Sequence, residues 1–477
     1  MRLSLGILVI ILGMSLMFFG CEGPKGDTGS QGSQGPTGPE GPEGPGYPTF
    51  TYLGDDGNTC AHCHASTVEM WDGTLHSEAY ATLVDGGDQD DLFCLQCHTL
   101  GFDSPISEGD TSITVHGPDM TGFDDYWPPA NAEDSARIAI LKNVQCESCH
   151  GPMGPTIYNH EPMVSFATRA EGGVELSLCA KCHEQVTEWE TSGHGTVLQR
   201  HEMTIEEFSE EFGRSSCYTC HTAEGFASNN DPALAGMAIP ETVSQIGCPA
   251  CHTPHDGTLD FQLRNLDDVT VLYDANEAAT FTGKGSAQIC AQCHHGRRDV
   301  ASVEDQIENG NAHFGPHESP QMDEYVGSGC YEIDGYTYER SHSHQSIPQA
   351  CVSCHMTDVS HGDFQPEVAG HDFMPSLTAC QPCHPGLTSF DLNGFQSDVD
   401  DMLDELLTAI GVSSPDSLGS ATATTPDQRK AGFAYAFVSA DASHGVHNPA
   451  YTLSLLENAI DYANSLKGTK PTAMARR

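Results

Sequence analysis

Residues 248–252 read Cys-Pro-Ala-Cys-His, and this Cys-x-x-Cys-His pattern occurs nine times in the 477-residue chain. The spacing is the attachment signature of c-type haem: two thiols bond to one porphyrin, and the following His ligates the iron. We therefore predict nine covalent haem c groups. The copies lie at Cys60/Cys63/His64, Cys94/Cys97/His98, Cys146/Cys149/His150, Cys179/Cys182/His183, Cys217/Cys220/His221, Cys248/Cys251/His252, Cys290/Cys293/His294, Cys351/Cys354/His355 and Cys380/Cys383/His384.

Other uses of paired cysteines fit this pattern less well. Structural zinc sites take their ligands from two separated pairs, whereas every pair here carries its own His at the same offset. A redox dithiol would lie in a βαβ pattern, and none surrounds any copy. A disulfide-linked scaffold explains an even number of paired cysteines but not nine histidines at one spacing.

The N-terminus, residues 1–21, reads as an export signal. Arg2 is followed by an apolar stretch and by Gly20 before Cys21, which is typical of a secretory signal. The end is similar to a bacterial lipoprotein signal, in which Cys21 becomes the lipidated N-terminus. Ordinary cleavage nearby and an uncleaved anchor are the alternatives. We expect an exported protein of the bacterial cell envelope, lipid-anchored at the outer membrane, the cell surface or the periplasmic face.

Residues 22–46 contain glycine at every third position from Gly23 to Gly44. This period is the signature of collagen, because only glycine fits at the axis of a triple helix. A single chain of this composition forms an extended spacer that reaches about 70 Å. The segment is therefore a stalk, and the alternative is a homotrimer held through the Gly-X-Y run.

The formal charge is −48, from 19 basic and 67 acidic residues. So acidic a chain argues against nucleic acid or an anionic membrane surface as a partner. It favours cationic proteins, metal ions or mineral surfaces. The alternative is that the charge only keeps an exported protein soluble.

Residues 47–390 form the predicted nine-haem domain. Successive motifs start 29 to 61 residues apart, and segments of that length bury little core alone. We predict a mainly α and irregular fold in which short helices wrap around a stack of nine haems. One such helix is expected at 205–212, where Thr204 and Glu207 form a capping box.

Residues 391–477 are predicted to form a C-terminal helical segment that packs on the haem domain. Apolar residues at helical spacing predict one helix at 398–411. Thr425 and Pro426 predict the start of a second, which runs through Phe437. Asn448 predicts the start of a third.

The histidine content suggests the second axial ligand of each iron. Nine of the 25 histidines belong to motifs, which leaves sixteen, enough to give every haem two His ligands. Iron held by His on both faces has no open position, so this composition predicts electron transfer rather than catalysis.

Two strings, Trp71-x-x-Thr74-x-His76 and Trp189-x-x-Ser192-x-His194, resemble distal-ligand motifs of multihaem cytochromes. The group includes hydroxylamine oxidoreductase, cytochrome c nitrite reductase and the tetrahaem cytochrome of nitrifiers. The resemblance spans about residues 58–466 and includes CLQCHTLGF from Cys94 and HFGPHESPQ from His313. The distal ligands that it implies are His76, His160, His194, His255, His317, His344, His371 and His447, with His116 or His201 as the ninth. His342 competes with His344, and His313 competes with His317.

The chain departs from those enzymes in two respects. Nitrite reductase uses a Cys-x-x-Cys-Lys motif at its active haem, whereas all nine motifs here end in His. Hydroxylamine oxidoreductase needs a cross-linked Tyr, and the tyrosines of residues 325–338 are more simply read as packing residues. Cys330 lies outside the motifs and is expected to be a buried thiol, with a ligand or an intermolecular disulfide as alternatives.

Three functions follow as hypotheses. The first is an electron carrier between redox proteins, such as cytochromes or quinone-linked donors, and extracellular electron acceptors. The second is a multihaem oxidoreductase that acts on a small nitrogen or sulfur compound at one open haem. The third is a trimeric, collagen-like surface protein.

Overall fold

The computed structural model describes residues 52–102, 122–152, 179–196, 202–212, 217–230, 242–273, 279–357 and 370–467. The predicted signal, the Gly-X-Y stalk, His116, His160 and His201 lie outside the described residues. The described chain is mainly helical and irregular, with little strand, which confirms the predicted fold class. None of its helices is both long and apolar enough to cross a membrane.

Short helices dominate the motif-bearing region, as predicted. Sixteen α-helices are described there, the longest of eleven residues. They are α1 Ala61–Trp71, α2 Ala79–Gly86, α3 Leu92–His98, α4 Ala132–Ile140, α5 Cys146–His150, α6 Gln185–Trp189, α7 Gly193–Thr196, α8 Ile205–Phe212, α9 Tyr218–His221, α10 Ala223–Asn230, α11 Cys248–Cys251, α12 Gln288–Ala291, α13 Val300–Asn309, α14 Gln321–Val326, α15 Ala350–His355 and α16 Leu377–Cys380.

The strands are few and short. Strand β1 (Glu202–Thr204) pairs antiparallel with β2 (Thr242–Ser244), and β3 (Val269–Thr270) pairs antiparallel with β4 (Thr280–Phe281). Two-stranded ribbons of this size are not stable alone, so they depend on the helices packed against them.

Helix α8 begins and ends where its sequence predicts. The Thr204 amide donates to the Glu207 carboxylate at 2.8 Å, and the Glu207 amide donates to the Thr204 hydroxyl at 3.1 Å. These two bonds satisfy amides that the first helical turn leaves without partners. Phe208 is buried on the inner face, and its ring stacks on that of Phe212 at 4.5 Å.

The last three helices are α17 (Phe395–Ile410), α18 (Pro426–Asp441) and α19 (Pro449–Leu466). Helix α17 ends one residue before the predicted end, because Gly411 adopts a left-handed φ of 89° that closes the helix. Helix α18 starts as predicted, with Thr425 as its N-cap and Pro426 as its first residue, and Thr425 and Gln428 form a capping box. It continues beyond Phe437 because Val438 and Asp441 are also buried, so packing extends the helix past the local sequence signal.

The three C-terminal helices share one apolar core with α13. Leu406, Phe433 and Leu456 are fully buried at its centre, and Val303 and Ile307 of α13 join the same cluster. The packing therefore joins the C-terminal helices to a helix of the motif-bearing region. The limits of the predicted domains remain predictions.

Arg429 ties α18 to the end of α13. Its buried guanidinium donates to the carbonyl oxygens of Ile307 at 2.6 Å and Glu308 at 2.7 Å, and to that of Thr424 at 2.6 Å. The first two carbonyls belong to the last turn of α13, where no backbone amide is available to them. One buried cation thus caps one helix and anchors another.

Replacing Arg429 by methionine should lower the free energy of unfolding by about 3 kcal/mol, because buried carbonyls lose a charged donor. Denaturant titration followed by far-ultraviolet circular dichroism measures this change. The control is Lys430→Met, which removes only the exposed Lys430–Asp427 pair at 2.9 Å and should change stability by less than about 0.5 kcal/mol. Equal effects of the two variants would contradict the role given to Arg429.

Candidate haem-binding sites

Each motif sits on one helical turn that presents its thiols and its His together. The amide of the motif His donates to the carbonyl of the first Cys at 2.9 Å in several copies, as at His183, His252 and His294. This i to i+4 bond brings both cysteines and the His to one side of the turn. No disulfide joins the nineteen cysteines of the described residues.

Seven motif histidines face a second histidine from elsewhere in the chain. In every pair the second residue is one of the predicted distal histidines, and the ring centroids are 5.9 to 6.4 Å apart. The pairs are His183–His76 at 6.1 Å, His150–His255 at 6.1 Å, His294–His194 at 5.9 Å, His221–His317 at 6.2 Å, His252–His371 at 6.4 Å, His384–His344 at 6.4 Å and His355–His447 at 6.3 Å.

This separation fits an iron atom between two imidazoles. A metal–nitrogen bond to His is about 2 Å long, and a ring nitrogen lies roughly 1 Å from its ring centroid, so two rings on opposite faces are about 6 Å apart. The histidines therefore fit the axial positions of haem c, which supplies one-electron chemistry when bound.

The structure distinguishes the competing candidates for a distal ligand, His342 or His344 and His313 or His317. His344 and His317 face motif histidines, whereas His342 instead lies 3.3 Å from the Gln345 side chain and His313 is exposed. His160, His116 and His201 lie outside the described residues. The axial partners of His64 and His98 therefore stay predictions.

The Cys63 thiol departs from the expectation of an enclosed haem site. Most motif cysteines are partly buried, whereas Cys63 on α1 is exposed to solvent, as are its neighbours His62 and His64. The first motif packs on the rest of the protein through its other thiol, Cys60, which meets Cys146, so the part of the turn that carries Cys63 faces outward. The described part of the chain leaves Cys63 uncovered, and its bond to haem stays a prediction from the motif. Two further motif cysteines, Cys182 and Cys383, are exposed residues.

Ring-nitrogen hydrogen bonds orient several of the predicted ligands. The Nδ1 atoms of His252, His355 and His344 lie 2.8, 2.9 and 2.7 Å from backbone carbonyl oxygens, of Phe261, Phe373 and Val446 respectively. A carbonyl can only accept, so Nδ1 carries the proton and Nε2 keeps its lone pair for the metal. Local sequence gives no signal for these acceptors, because each lies in another part of the fold.

Burial keeps most of these imidazoles neutral. Desolvation, and then the neighbouring motif His, lowers the pKa of His76 to about 4 and that of His194 to about 4. The neutral ring is the form that binds a metal. His447 differs: burial alone would lower its pKa, but the charge and the hydrogen bond of Asp441 outweigh burial and raise it.

Apolar side chains next to the predicted ligands are exposed in the protein alone. Leu75, which precedes His76, is 74% exposed, and Phe93, which precedes Cys94, is 57% exposed. Large apolar groups at such positions would be covered by a porphyrin. Beside the ninth motif a cavity of about 540 Å³ is lined by His384, Leu387 and Leu392. Its size is in the range of cofactor sites.

Thiols of different motifs contact one another, which places the motifs in a connected network. Five thiol pairs are within hydrogen-bonding contact, namely Cys60–Cys146, Cys97–Cys182, Cys179–Cys248, Cys220–Cys293 and Cys290–Cys351. Five further pairs are close enough to interact electrostatically, namely Cys149–Cys179, Cys149–Cys182, Cys251–Cys290, Cys251–Cys293 and Cys354–Cys380.

These contacts define an order that differs from the order along the chain. The first, third, fourth, sixth, seventh, eighth and ninth motifs form one continuous row. The second motif branches from the fourth, and the fifth branches from the seventh. The spacing of motifs in the sequence contains no information about these branches.

The chain is similar to known cytochromes. A family model described as cytochrome c554 and c-prime matches residues 59–122 and 178–253, which contain five of the nine motifs. The multihaem cytochrome MtrA of Shewanella baltica (strain OS185) is 26% identical over 166 residues. That match covers 32% of this chain and 48% of MtrA, about half the length of that relative.

A solved structure with a TM-score above 0.5 shares the fold. The crystal structure of outer cell wall cytochrome OcwA has a TM-score of 0.53 at 17% identity, over 86% of this chain and 99% of that one. The undecahaem cytochrome from the S-layer of Carboxydothermus ferrireducens has a TM-score of 0.37 at 20% identity, over 70% of this chain and 51% of that one.

Proposed function

We propose that this chain, a multihaem c-type cytochrome by its motifs and its matches, carries electrons through nine covalent haems at the bacterial cell surface. The observation that carries the proposal is the set of seven facing histidine pairs. Imidazole on both faces of an iron leaves no vacancy for a substrate and limits the chemistry to electron exchange.

The thiol contacts support conduction along the chain rather than nine isolated sites. Porphyrins attached to neighbouring motifs are held close together, and thiols that are in contact or close enough to interact electrostatically link the motifs without a break from the first to the ninth. The protein contributes the spacing of the haems and tunes each potential through burial and hydrogen bonds to the ligands. Partner cytochromes, quinone-linked donors or extracellular acceptors would exchange electrons at the ends.

The number of haems is the first test. The mass of the mature, unfolded protein should equal that of the polypeptide plus nine porphyrins, because all nine motifs are intact. A Cys217→Ala/Cys220→Ala variant should lose one porphyrin and serves as the calibration. A wild-type mass short by two or more porphyrins would contradict the proposed count.

The proposed location depends on the N-terminus. Residues 1–21 resemble a lipoprotein signal, and two of the structural relatives are described as cytochromes of an outer cell wall and of an S-layer. Residues 22–46 would then space the haem domain from a lipid on Cys21. A trimer through the Gly-X-Y run is the alternative role of that segment, and sedimentation of the protein with and without residues 23–46 distinguishes a stalk from a trimer.

Replacing Cys21 by serine should release the protein from the membrane fraction, because the residue that receives the lipid is lost. Cell fractionation and immunoblotting measure the distribution. Gly23→Ser is the control, since it alters the neighbouring segment and keeps the thiol. Continued membrane attachment of the Cys21 variant would mean that the apolar segment is an uncleaved anchor.

A further inference from the structure

His447 has a different environment from the other predicted ligands. Its ring lies 6.3 Å from that of His355, and its Nδ1 lies 2.6 Å from the Asp441 carboxylate. The Asp441 side chain has no exposed surface. A short hydrogen bond from an imidazole to a buried carboxylate is charge-assisted and about twice as strong as a neutral one.

The acceptors of the other described ligand hydrogen bonds are uncharged. His344 donates to a backbone carbonyl, and His317 lies 3.1 Å from the Ser319 hydroxyl. His371 represents the other extreme, because its buried Nδ1 has no partner in the described part of the chain. Of the ring-nitrogen bonds described for predicted ligands, only that of His447 ends on a carboxylate.

Local contacts hold the carboxylate in position. Asp441 is the last residue of α18, and its second oxygen accepts the Ser443 hydroxyl and, at 3.2 Å, the Ser443 amide. The Ser443 hydroxyl also accepts the amide of His447 at 3.2 Å. The Asp441 carboxylate, Ser443 and His447 are thus all joined to one another by hydrogen bonds. Two of these bonds come from backbone amides, and they hold the carboxylate against the imidazole.

We infer that Asp441 lowers the reduction potential of the haem held by His355 and His447 below those of the haems whose ligands donate to uncharged acceptors. A carboxylate that accepts the Nδ1 proton raises the basicity of the ligand, and a more basic ligand stabilises ferric over ferrous iron. Asp441 would act through His447 and is a positioning residue. The inference rests on the proposed function, because it requires a haem at the eighth motif.

The haem of the eighth motif would lie between the seventh and the ninth, so its potential would affect electron transfer along the row. Cys351 contacts Cys290 of the seventh motif, and Cys354 lies near Cys380 of the ninth. An electron that moves between the ninth haem and the rest of the row must cross the eighth. A low potential there makes that crossing an uphill step, which separates the ninth haem energetically from the others.

The test is a spectroelectrochemical titration of Asp441→Asn, which keeps the size of the side chain and removes its charge. The lowest-potential component of the wild-type titration should move upward, with the equilibrium constant for its reduction rising about tenfold, or about 59 mV for a one-electron couple. The control is Asp400→Asn. Asp400 makes the same 2.6 Å contact with His444, but both side chains are about half exposed and His444 is not a predicted ligand. Its titration should match the wild type.

The Asp441→Glu variant tests whether the charge of the side chain, rather than its size, sets the potential. It keeps a carboxylate beside His447 and should retain the low-potential component that Asp441→Asn loses. Superimposable titrations of Asp441→Asn and wild type would overturn the inference, and so would equal shifts in the Asn and Glu variants. Haem counts by mass and low-spin ferric resonance signals are recorded for each variant. A wild type without a low-spin haem at the eighth motif contradicts the proposed function itself, independently of Asp441.

Discussion

Replacing His344 by alanine should create one high-spin haem that binds carbon monoxide, in a protein whose wild type has only low-spin ferric signals and binds none. The ring of His344 lies 6.4 Å from that of His384, and its Nδ1 is held by the Val446 carbonyl at 2.7 Å. Removing this ring opens one axial position of the ninth haem, and carbon monoxide takes an open ferrous position. Electron paramagnetic resonance and the absorption spectrum of the reduced protein measure both effects.

His342 provides a matched control two residues away. It was the competing candidate for the same role, but it lies beside Gln345 and is exposed. His342→Ala should therefore leave every haem low-spin. A high-spin signal in His342→Ala would reverse the assignment. Carbon monoxide binding by the wild type would favour the oxidoreductase hypothesis, at a haem of the first two motifs, whose axial partners remain predictions.

The contrast between His342 and His344 shows where the sequence is informative about the site. The proximal half of each site is local, because two cysteines and a histidine share one helical turn, so the motif alone predicts it. The distal half comes from a distant segment, as with His76 and His183 or His344 and His384. The resemblance to known cytochromes suggested which histidines take part, but the partner of each follows only from the fold.

The helices show the same difference between features set by local sequence and features set by long-range packing. The capping box at Thr204 and the Thr425–Pro426 pair predicted two helix starts correctly, because a cap is a contact within one turn. The end of α18 was placed too early, because burial of Val438 and Asp441 extends it. Asp441 itself had no sequence signal as a ligand partner. An aspartate six residues before a histidine is common, and only the turn after α18 brings the two together at 2.6 Å.

The branched order of the motifs predicts which haems are needed for electron transfer along the row. Thiols of the seventh motif contact those of the fifth and the eighth, and both of them lie near Cys251 of the sixth. The seventh haem would therefore be a junction on the row between the first and ninth haems, whereas the fifth would be a side branch. Removing the seventh should stop the passage of electrons along the row, and removing the fifth should not.

Two double variants make this comparison, Cys290→Ala/Cys293→Ala for the junction and Cys217→Ala/Cys220→Ala for the branch. Each should lose one porphyrin by mass. Both are placed in the His344→Ala background, in which the ninth haem reports its own reduction by binding carbon monoxide. Electrons are injected on the side of the row that precedes the seventh motif, from a photosensitiser on a cysteine introduced at the exposed Asp72, four residues before His76, which faces His183 of the fourth motif. The protein is immobilised to suppress exchange between molecules.

We expect carbon monoxide binding at the ninth haem to fall to the intermolecular background in the junction variant and to keep most of its rate in the branch variant. Equal rates would mean that electrons bypass the seventh haem and that the thiol contacts do not report the order of the haems. A loss in both variants would indicate a general disruption of packing, which circular dichroism of the two proteins detects. Only the unequal result follows from a row with branches, because each variant removes the same chemical group and differs only in its place in the network.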